Sequence, residues 1–507
     1  MVRKARPGGS RSDVVIGVDA GTTSVKATAF AVDGTDVAHT EVGYPLDEPH
    51  PGWAEQDPAL VAQAVTEAIR GAAEAADAAG HTVRGLSISS AMHGLVALDA
   101  DDQPLTALMT WGDTRAFEQA ERLKRDHPEL HGRTGTPLHP MAPLAKLCWL
   151  REEEPETFAA AARFVGVKEL VLHRLTGEWA VDHSVASGTG LFHLRSLEWD
   201  AMALEIAGVA GHQLARLVPA KEQFALTATD TGLPAGTPVV AGAGDGPLAN
   251  LGVGAVRPGV AAVSIGTSGA LRVMVEHPTT DPAGRVFCYA LTPGRWAVGG
   301  AINNGGVVLQ WAGEALAPDL GEHAEEELMA LAAGIPAGSE GLIMLPYLLS
   351  ERAPHWSALP RGAYVGLTRG HGRAHLIRAA IEGVCQQLAL VLASVREAGN
   401  EVTEIRATGG FARSELWRQI LTDALGVTVS FPAGHEGSGF GAALLGMEAL
   451  GMVDSIDHAA DLVTIDERVQ PGEEASAAYA ELLPIFASLH DALAPAFRRL
   501  RRLDPGS

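Results

Sequence analysis

One pattern occurs twice in this chain, and it limits the available folds more than any other feature. Val14-Val15-Ile16-Gly17-Val18-Asp19-Ala20-Gly21-Thr22-Thr23-Ser24-Val25-Lys26-Ala27-Thr28-Ala29-Phe30 reads as strand, tight turn, strand. Val260 to Val273 repeats it near mid-chain, with Gly266-Thr267-Ser268-Gly269 at the turn. One Gly-Thr turn arises easily by chance. The same turn with its flanking strands at the head of each half does not. Two such hairpins, each opening a run of mixed strands and helices, predict a duplicated α/β unit with a cleft between the copies. Glycine permits a turn that a Cβ would obstruct, and turn N–H groups with hydroxyls beside them can converge on an anion. Asp19 ends the first strand. A carboxylate there cannot hold phosphate directly, but it can hold the Mg²⁺ that phosphates carry. Taken alone, the first stretch also fits a core hairpin with a polar tip.

The whole-chain properties remove several classes. At 507 residues the chain has room for two to four domains. A net charge of -23 argues against a nucleic-acid partner, because little here would displace counterions from a phosphate backbone. Hydrophobic residues at 47% and charged residues at 20% suit a globular protein, and no stretch reads as long and apolar enough for a bilayer span. The basic residues before Ser12 lack an apolar core after them and read as a disordered tail. Cys148, Cys288 and Cys385 are odd in number, far apart and without metal-ligand spacing, so a cytoplasmic location is expected. A homodimer is compatible with the sequence.

In the first half, Asp57-Pro58 opens a helix as N-cap and first-turn proline, and Gly80 stops it. The strand Gly85 to Ser89 leads through Met92-His93 to a second strand, Leu95 to Leu98. That puts Met92 and His93 near a sheet end, where α/β proteins tend to place ligands, although such a pair more often serves core packing. Leu105 to Trp111 reads as a strand ending in Trp111-Gly112-Asp113-Thr114-Arg115, before a helix over Ala116–Lys124. Trp111 suits stacking on a sugar, and Asp113 and Arg115 suit its hydroxyls. A core aromatic and an ion pair fit those residues as well. Helices follow at Pro143 to Glu153 and Lys168 to Thr176. Val239 to Ala243 is a strand that runs into Gly244-Asp245-Gly246-Pro247, where Asp245 stands at a strand end and a helix start. It can serve as a plain N-cap, or the flanking glycines can let a substrate approach its carboxylate.

In the second half, Trp296 to Gly300 delivers Asn303-Asn304-Gly305-Gly306 ahead of a helix over Val307–Leu316, whose positive end suits a phosphate. Arg373 to Glu397 is one long helix. Ile405 to Thr408 runs into Gly409-Gly410, a turn that lets a flat base approach the backbone, and Ser414 caps the next helix. Val427 to Phe431 is the last clear strand, and from about Glu473 the chain is helix with a solvated basic tip, Arg498 to Arg502. No Gly-Lys pair occurs, which excludes a Walker-type loop. Gly437-Ser438-Gly439-Phe440-Gly441-Ala442 half-matches a dinucleotide fingerprint, but no strand leads into it and no acidic residue follows at the required distance. What remains is a nucleotide gripped by hairpin turns, with a carboxylate at the cleft.

Two long patterns give this a family. Met141-Ala142-Pro143-Leu144-Ala145-Lys146-Leu147-Cys148-Trp149-Leu150-Arg151-Glu152-Glu153 is one. The other runs from Gly362-Ala363-Tyr364-Val365-Gly366-Leu367 through His375-Leu376 to Ala379-Ala380-Ile381-Glu382. With them the chain resembles the FGGY family of carbohydrate kinases from about Val14 to about Leu450. The resemblance implies two actin/hexokinase-like (ribonuclease H-like) α/β domains with a nucleotide and sugar cleft between them. The expected division is a tail at 1–12, an N-terminal domain at 13–255, a C-terminal domain at 256–450 and a helical extension at 451–507. The resemblance assigns Asp245 as catalytic base and Asp19 as the Mg²⁺-side carboxylate. Thr22, Thr23, Gly266 and Thr267 become the phosphate turns, and Gly306, Gln310, Gly410 and Ser414 the nucleotide side. Met92 and His93 match the sugar side, where Trp111 and Asn304 are placed with them. ATP and Mg²⁺ are the implied cofactors, and a small sugar or sugar acid is the partner.

For the acceptor, Ala91-Met92-His93, Trp111-Gly112-Asp113, Asp182–Phe192 and Gly300 to Gly306 resemble the gluconate kinases most. Xylulose kinases usually have Gln where Ala91 stands and Asn where Gly112 stands. The implied reaction is phosphorylation of D-gluconate to 6-phospho-D-gluconate, with xylulose kinase as the alternative. A substrate carboxylate wants a cation or N–H donors, and Arg115 and His93 are the candidates. A sugar-sensing regulator would need a DNA-binding segment, for which the tail is too short. An inactive scaffold would be expected to lack the carboxylate at 245.

Overall fold

The structure is a computed structural model that describes residues 11–321, 324–433 and 437–503. Most of the expected tail therefore lies outside the described residues, and Ser12 already belongs to a strand. The elements used below are numbered along the chain.

The first hairpin forms as expected. β1 (Ser12–Ala20) pairs antiparallel with β2 (Ser24–Ala31), which pairs with β3 (Asp36–Gly43). Helix α1 (Pro58–Ala78) then crosses to β4 (His81–Ser90), which lies parallel to β1. Asp57 caps α1 by accepting from the Ala59 N–H. After a long insertion, β5 (Gln223–Ala225) and β6 (Pro238–Gly244) complete a sheet of order β5-β6-β4-β1-β2-β3. The insertion carries α2 (Phe117–Asp126), α3 (Pro143–Glu153) and α4 (Val167–Thr176).

The second half repeats this order. α5 (Asp245–Gly252) leads to the hairpin β7 (Val260–Ile265) and β8 (Gly269–Val275), then β9 (Phe287–Thr292) and β10 (Arg295–Ile302). Helices α6 (Gly306–Leu316) and α7 (Arg373–Glu397) precede β11 (Glu404–Thr408), α8 (Glu415–Leu425) and β12 (Thr428–Pro432). The sheet order is β9-β10-β8-β7-β11-β12, closed by β13 (Ile465–Val469). The series β3-β2-β1-β4-β6 and β10-β8-β7-β11-β12 match strand for strand. Each has three antiparallel strands followed by two parallel additions. This is the duplicated actin/hexokinase-like architecture.

β1 is buried on both faces, which explains its unbroken apolar run. Val14, Ile16 and Val18 pack with Val61, Val65 and Ile69 of α1, whereas Val15 packs with helix α9 (Ser438–Ala449). α9 lies between β12 and the last strand of the second sheet in sequence but packs on the first sheet. A Cβ on Gly17 would stand 2.0 Å from the Gly439 carbonyl oxygen, and Phe440 meets Phe30 with ring centroids 5.3 Å apart. α9 therefore ties the two halves together.

Four expectations change. Of Leu105 to Trp111 only Leu108–Met109 is strand, paired with Glu55–Gln56. The extension after 450 is not all helix, since β13 pairs with β12 through Val429 and Val469. Asp466, Glu467 and Arg468 give it the polar look of an exposed edge strand, so no apolar pattern announces it. α7 is long and apolar enough to cross a membrane by length and composition, yet it is buried in the protein core. The basic tip of the last helix, α10 (Glu473–Leu503), is anchored, because the Arg501 guanidinium lies 3.8 Å from the Phe117 ring centroid of α2.

Candidate active site

Parallel register brings the first half of the site together. Ala20 of β1, Ser90 of β4 and Gly244 of β6 stand in one row, so Gly21, Ala91 and Asp245 leave the sheet at one edge. Lys168, fully buried, holds that edge by donating to the carbonyls of Ile88, Ala241 and Ala243 while it pairs with Asp182 at 3.3 Å. In the other sheet Ser264 of β7 pairs with Thr408 of β11, and Gly266 and Gly409 follow them out of the equivalent edge.

Two cavities meet at the second turn. The smaller, about 280 Å³, is lined by Thr22, Met92, His93, Trp111 and Asp245 from one half and by Ser268, Gly269, Arg272, Tyr289 and Arg352 from the other. The larger, about 760 Å³, is lined by Gly266, Thr267, Gly306, Gln310 and Gly410, with Leu309, Phe411 and Trp417 as apolar walls. Consecutive residues 266–269 thus serve both. The volumes suit a small polyol beside a nucleotide.

Asp245 is the first residue of α5 and its Oδ1 accepts from the Gly246 N–H at 2.7 Å. Burial, and then the nearby Asp19 charge, push its carboxyl up to about 6, against the opposing pull of Arg272. That value suits a base that must take a proton near neutral pH. Asp19 accepts from Ser89 Oγ through Oδ1 and from Ser438 Oγ through Oδ2, both at 2.7 Å. Each oxygen keeps a lone pair, so the carboxylate fits a Mg²⁺ that draws its remaining ligands from phosphate and water. Among the described residues no group of three or more metal-type side chains occurs.

Met92 fills the space over Gly244, where a Cβ would lie 2.6 Å from its sulfur. His93 has a left-handed backbone, φ 68°, and its Nδ1–H donates to the Gly188 carbonyl at 2.7 Å. Burial pushes its imidazole down to about 3, so it is neutral and supplies no cation for a carboxylate. Trp111 donates from Nε1 to Thr22 Oγ1 at 2.9 Å, which ties the first turn to the cavity wall. Lys146 joins these parts from beneath, donating to the His93 and Thr110 carbonyls at 2.7 and 2.6 Å.

Several expected contacts fall elsewhere. Arg115 pairs with Asp113 and Glu55 and stacks on Trp53 at 3.4 Å, outside the cavity, so neither it nor Asp113 faces a sugar. Asn304 is buried and commits its amide to Ser350, Glu351 and Leu349, so it supports the loop that carries Arg352. Thr23 is exposed beside the first turn and lines neither cavity. Ser414 caps α8 by accepting from the Trp417 N–H at 3.2 Å. The N–H groups of Gly306 and Val307 do not stand open to phosphate. They donate to the Gly266 and Thr267 carbonyls and clamp the turn. Gly409 has φ 119°, and a Cβ there would sit 2.0 Å from the Ile265 carbonyl oxygen, so only glycine fits this bend.

Sequence reasoning missed Ser438, Arg272, Arg352 and Tyr289. Arg272 carried a readable signal, because it is the one charge in the otherwise apolar strand Gly269–Val275. Ser438 lay in the glycine run set aside as a half-matched fingerprint. Its partner, Asp19, is 419 residues away, which no local pattern reveals.

Comparison with known proteins agrees with this geometry. Residues 14–252 match the N-terminal domain of the FGGY family of carbohydrate kinases and residues 261–450 match its C-terminal domain. A gluconokinase of Bacillus subtilis (strain 168) is 42% identical over 489 residues, covering 94% of this chain and 95% of that one. A xylulose kinase of the same strain is 32% identical, covering 88% and 90%. A solved gluconate kinase from Lactobacillus acidophilus superposes with a TM-score of 0.91 at 34% identity, over 96% of this chain and 99% of that chain. A ligand-bound xylulose kinase from Lactobacillus acidophilus gives the same TM-score and identity, over 96% and 100%. Two matched domains spanning most of the chain, around a cleft built by both, make this protein a member of the FGGY family of carbohydrate kinases.

Proposed function

We propose that the protein transfers the γ-phosphoryl group of ATP to the terminal hydroxyl of D-gluconate, forming 6-phospho-D-gluconate, with Asp245 as general base. The observation that carries this reading is the shared wall at residues 266–269. It sets the larger cavity, suited to a nucleotide, directly against the smaller one, which holds a carboxylate poised near pH 6. The gluconokinase relatives support the choice of acceptor.

In this reading the base and adenosine ends of ATP lie against Phe411, Gln310 and Gly410. The phosphates reach the Gly266-Thr267 turn and, across the cleft, Thr22. Asp19 would hold the Mg²⁺ that accompanies the phosphates, which when bound would neutralise part of their charge. The sugar rests on Met92, His93 and Trp111 with one hydroxyl at Asp245. Asp245 takes that proton as the oxygen attacks the γ-phosphorus and the bond to ADP breaks. The transition state is loose and charge-rich, so positioning and electrostatics carry most of the rate. Walls from both halves keep water from competing for the phosphoryl group.

D-Xylulose is the second reading, supported by a solved xylulose kinase that superposes equally well. ADP release measured with gluconate, xylulose, ribulose and glycerol separates them. Gluconate is expected to turn over fastest. Turnover of xylulose without gluconate overturns the acceptor, and a near-normal rate in Asp245→Asn removes the base.

A further inference from the structure

Three donors in the wall of the smaller cavity are buried and have no hydrogen-bond partner: Arg272 Nη1, Arg352 Nε and the Tyr289 hydroxyl. Buried polar groups are almost always paired, so a cluster of three around one cavity calls for a ligand rich in acceptors. Their supports are already committed. Arg352 Nη2 donates to the Ile302 carbonyl at 3.0 Å and its guanidinium lies over Trp111, 4.6 Å from the ring centroid. Tyr289 stacks on Phe287 with centroids 4.3 Å apart and planes 4° apart. Arg352 and Tyr289 are therefore held in place, and the chain supplies no acceptor to any of the three donors.

Charge narrows the ligand. Burial disfavours both cations, Asp245 beside Arg272 and Glu351 beside Arg352 offset it only in part, and the Arg272 charge adds to the cost at Arg352. An anion between them offsets that repulsion and desolvation together. Among the described residues, Arg115 is already paired, His93 is neutral and Lys146 is spent on the His93 and Thr110 carbonyls, which leaves the anion to these two guanidinium groups.

We propose that Arg272, Arg352 and Tyr289 form the seat of the substrate's carboxylate, so that this cavity selects a sugar acid over the neutral polyol of the same length. The proposal rests on the gluconate reading and deepens it. The carboxylate accepts from both guanidinium groups and from the phenol, which are donors at neutral pH. Arg272 is then the specificity-determining residue that the apolar strand β8 carries at its centre.

Calorimetric binding of D-gluconate and of D-glucitol, which has CH₂OH in place of the carboxylate, tests this. Wild type, Arg272→Gln and Tyr289→Phe are compared, each checked for folding by a thermal melt. Wild type is expected to prefer gluconate by roughly 100-fold, Arg272→Gln by about threefold or less, and Tyr289→Phe by an intermediate factor of roughly 10–20. Tyr289→Phe keeps the stacked ring, so it decides the matter if Arg272→Gln does not fold. A gluconate preference that survives in the folded variants overturns the proposal and leaves the gluconate reading standing. Intact preference with weakened binding of a non-hydrolysable ATP analogue gives the guanidinium to the phosphates and also overturns it. No preference in wild type overturns the gluconate reading and this proposal with it.

Discussion

Replacing Asp245 with asparagine should make the protein more stable while removing its activity. The carboxyl is pushed up from 3.8 to about 6, chiefly by burial and then by Asp19. A folded-state value above the unfolded one means that ionisation opposes folding. Below about pH 4 both states hold the proton and the group contributes nothing. Between 3.8 and about 6 the unfolded state ionises first and the penalty grows, and above about 6 it is constant. Its full size corresponds to about 3 kcal/mol, of which water in the cavity screens part, leaving about 1–2 kcal/mol. Urea unfolding without nucleotide, at pH 7.5, 6.0 and 4.8, should show Asp245→Asn more stable by that amount at pH 7.5, with the gain shrinking at pH 4.8. In parallel the wild-type kcat/KM should fall below a limb near pH 6, and the variant should lose roughly 10²–10⁴ in kcat. A variant no more stable than wild type at pH 7.5 would refute the reasoning. So would a gain equally large at pH 4.8, since ionisation would then not be its source.

Three other substitutions probe the frame. Gly17→Ala places a Cβ 2.0 Å from the Gly439 carbonyl oxygen, so α9 must move off β1 at a cost of about 2–4 kcal/mol, read as a lower urea midpoint. An unchanged midpoint would mean that the contact yields freely. Ser438→Ala removes one hydrogen bond from Asp19 and should raise the Mg²⁺ concentration for half-maximal rate roughly 3–10-fold, with the KM for the sugar unchanged. An unaltered Mg²⁺ dependence would detach Asp19 from the metal. Arg501→Ala loses the contact with Phe117 and should destabilise by about 0.5–1 kcal/mol in thermal melts, and no change would return the tip to solvent.

Much of the architecture was legible because it rests on local patterns. The hairpins at Val14 and Val260, the cap at Asp57 and the span of α7 follow from strand periodicity, turn chemistry and helix signals, and each stands where the residues predict. The edge strand β13 was not legible, because its charged residues face solvent and give no apolar alternation. The position of α9 was not legible either, because its glycine run is read by a backbone more than 400 residues away. At the site, Asp245 and the Gly-Thr turns could be found from their placement at strand ends. Asn304, Ser414 and Arg115 have the right chemistry for ligands, but their bonds go to other parts of the protein.

By itself the sequence determined the duplication, the carboxylate at the tip of β6 and the class of chemistry, since these are properties of short segments and their order. Only the tertiary structure decided which side chains have unspent hydrogen bonds. Arg115 and Arg272 are both candidates for an anion by residue type, yet folding pairs the first with Asp113 and Glu55 and leaves the second, in the cavity wall, with a buried donor that has no partner. The difference is physical. A charged side chain binds substrate only where its neighbours in space have not already satisfied it, and spatial neighbours are set by packing, not by sequence distance.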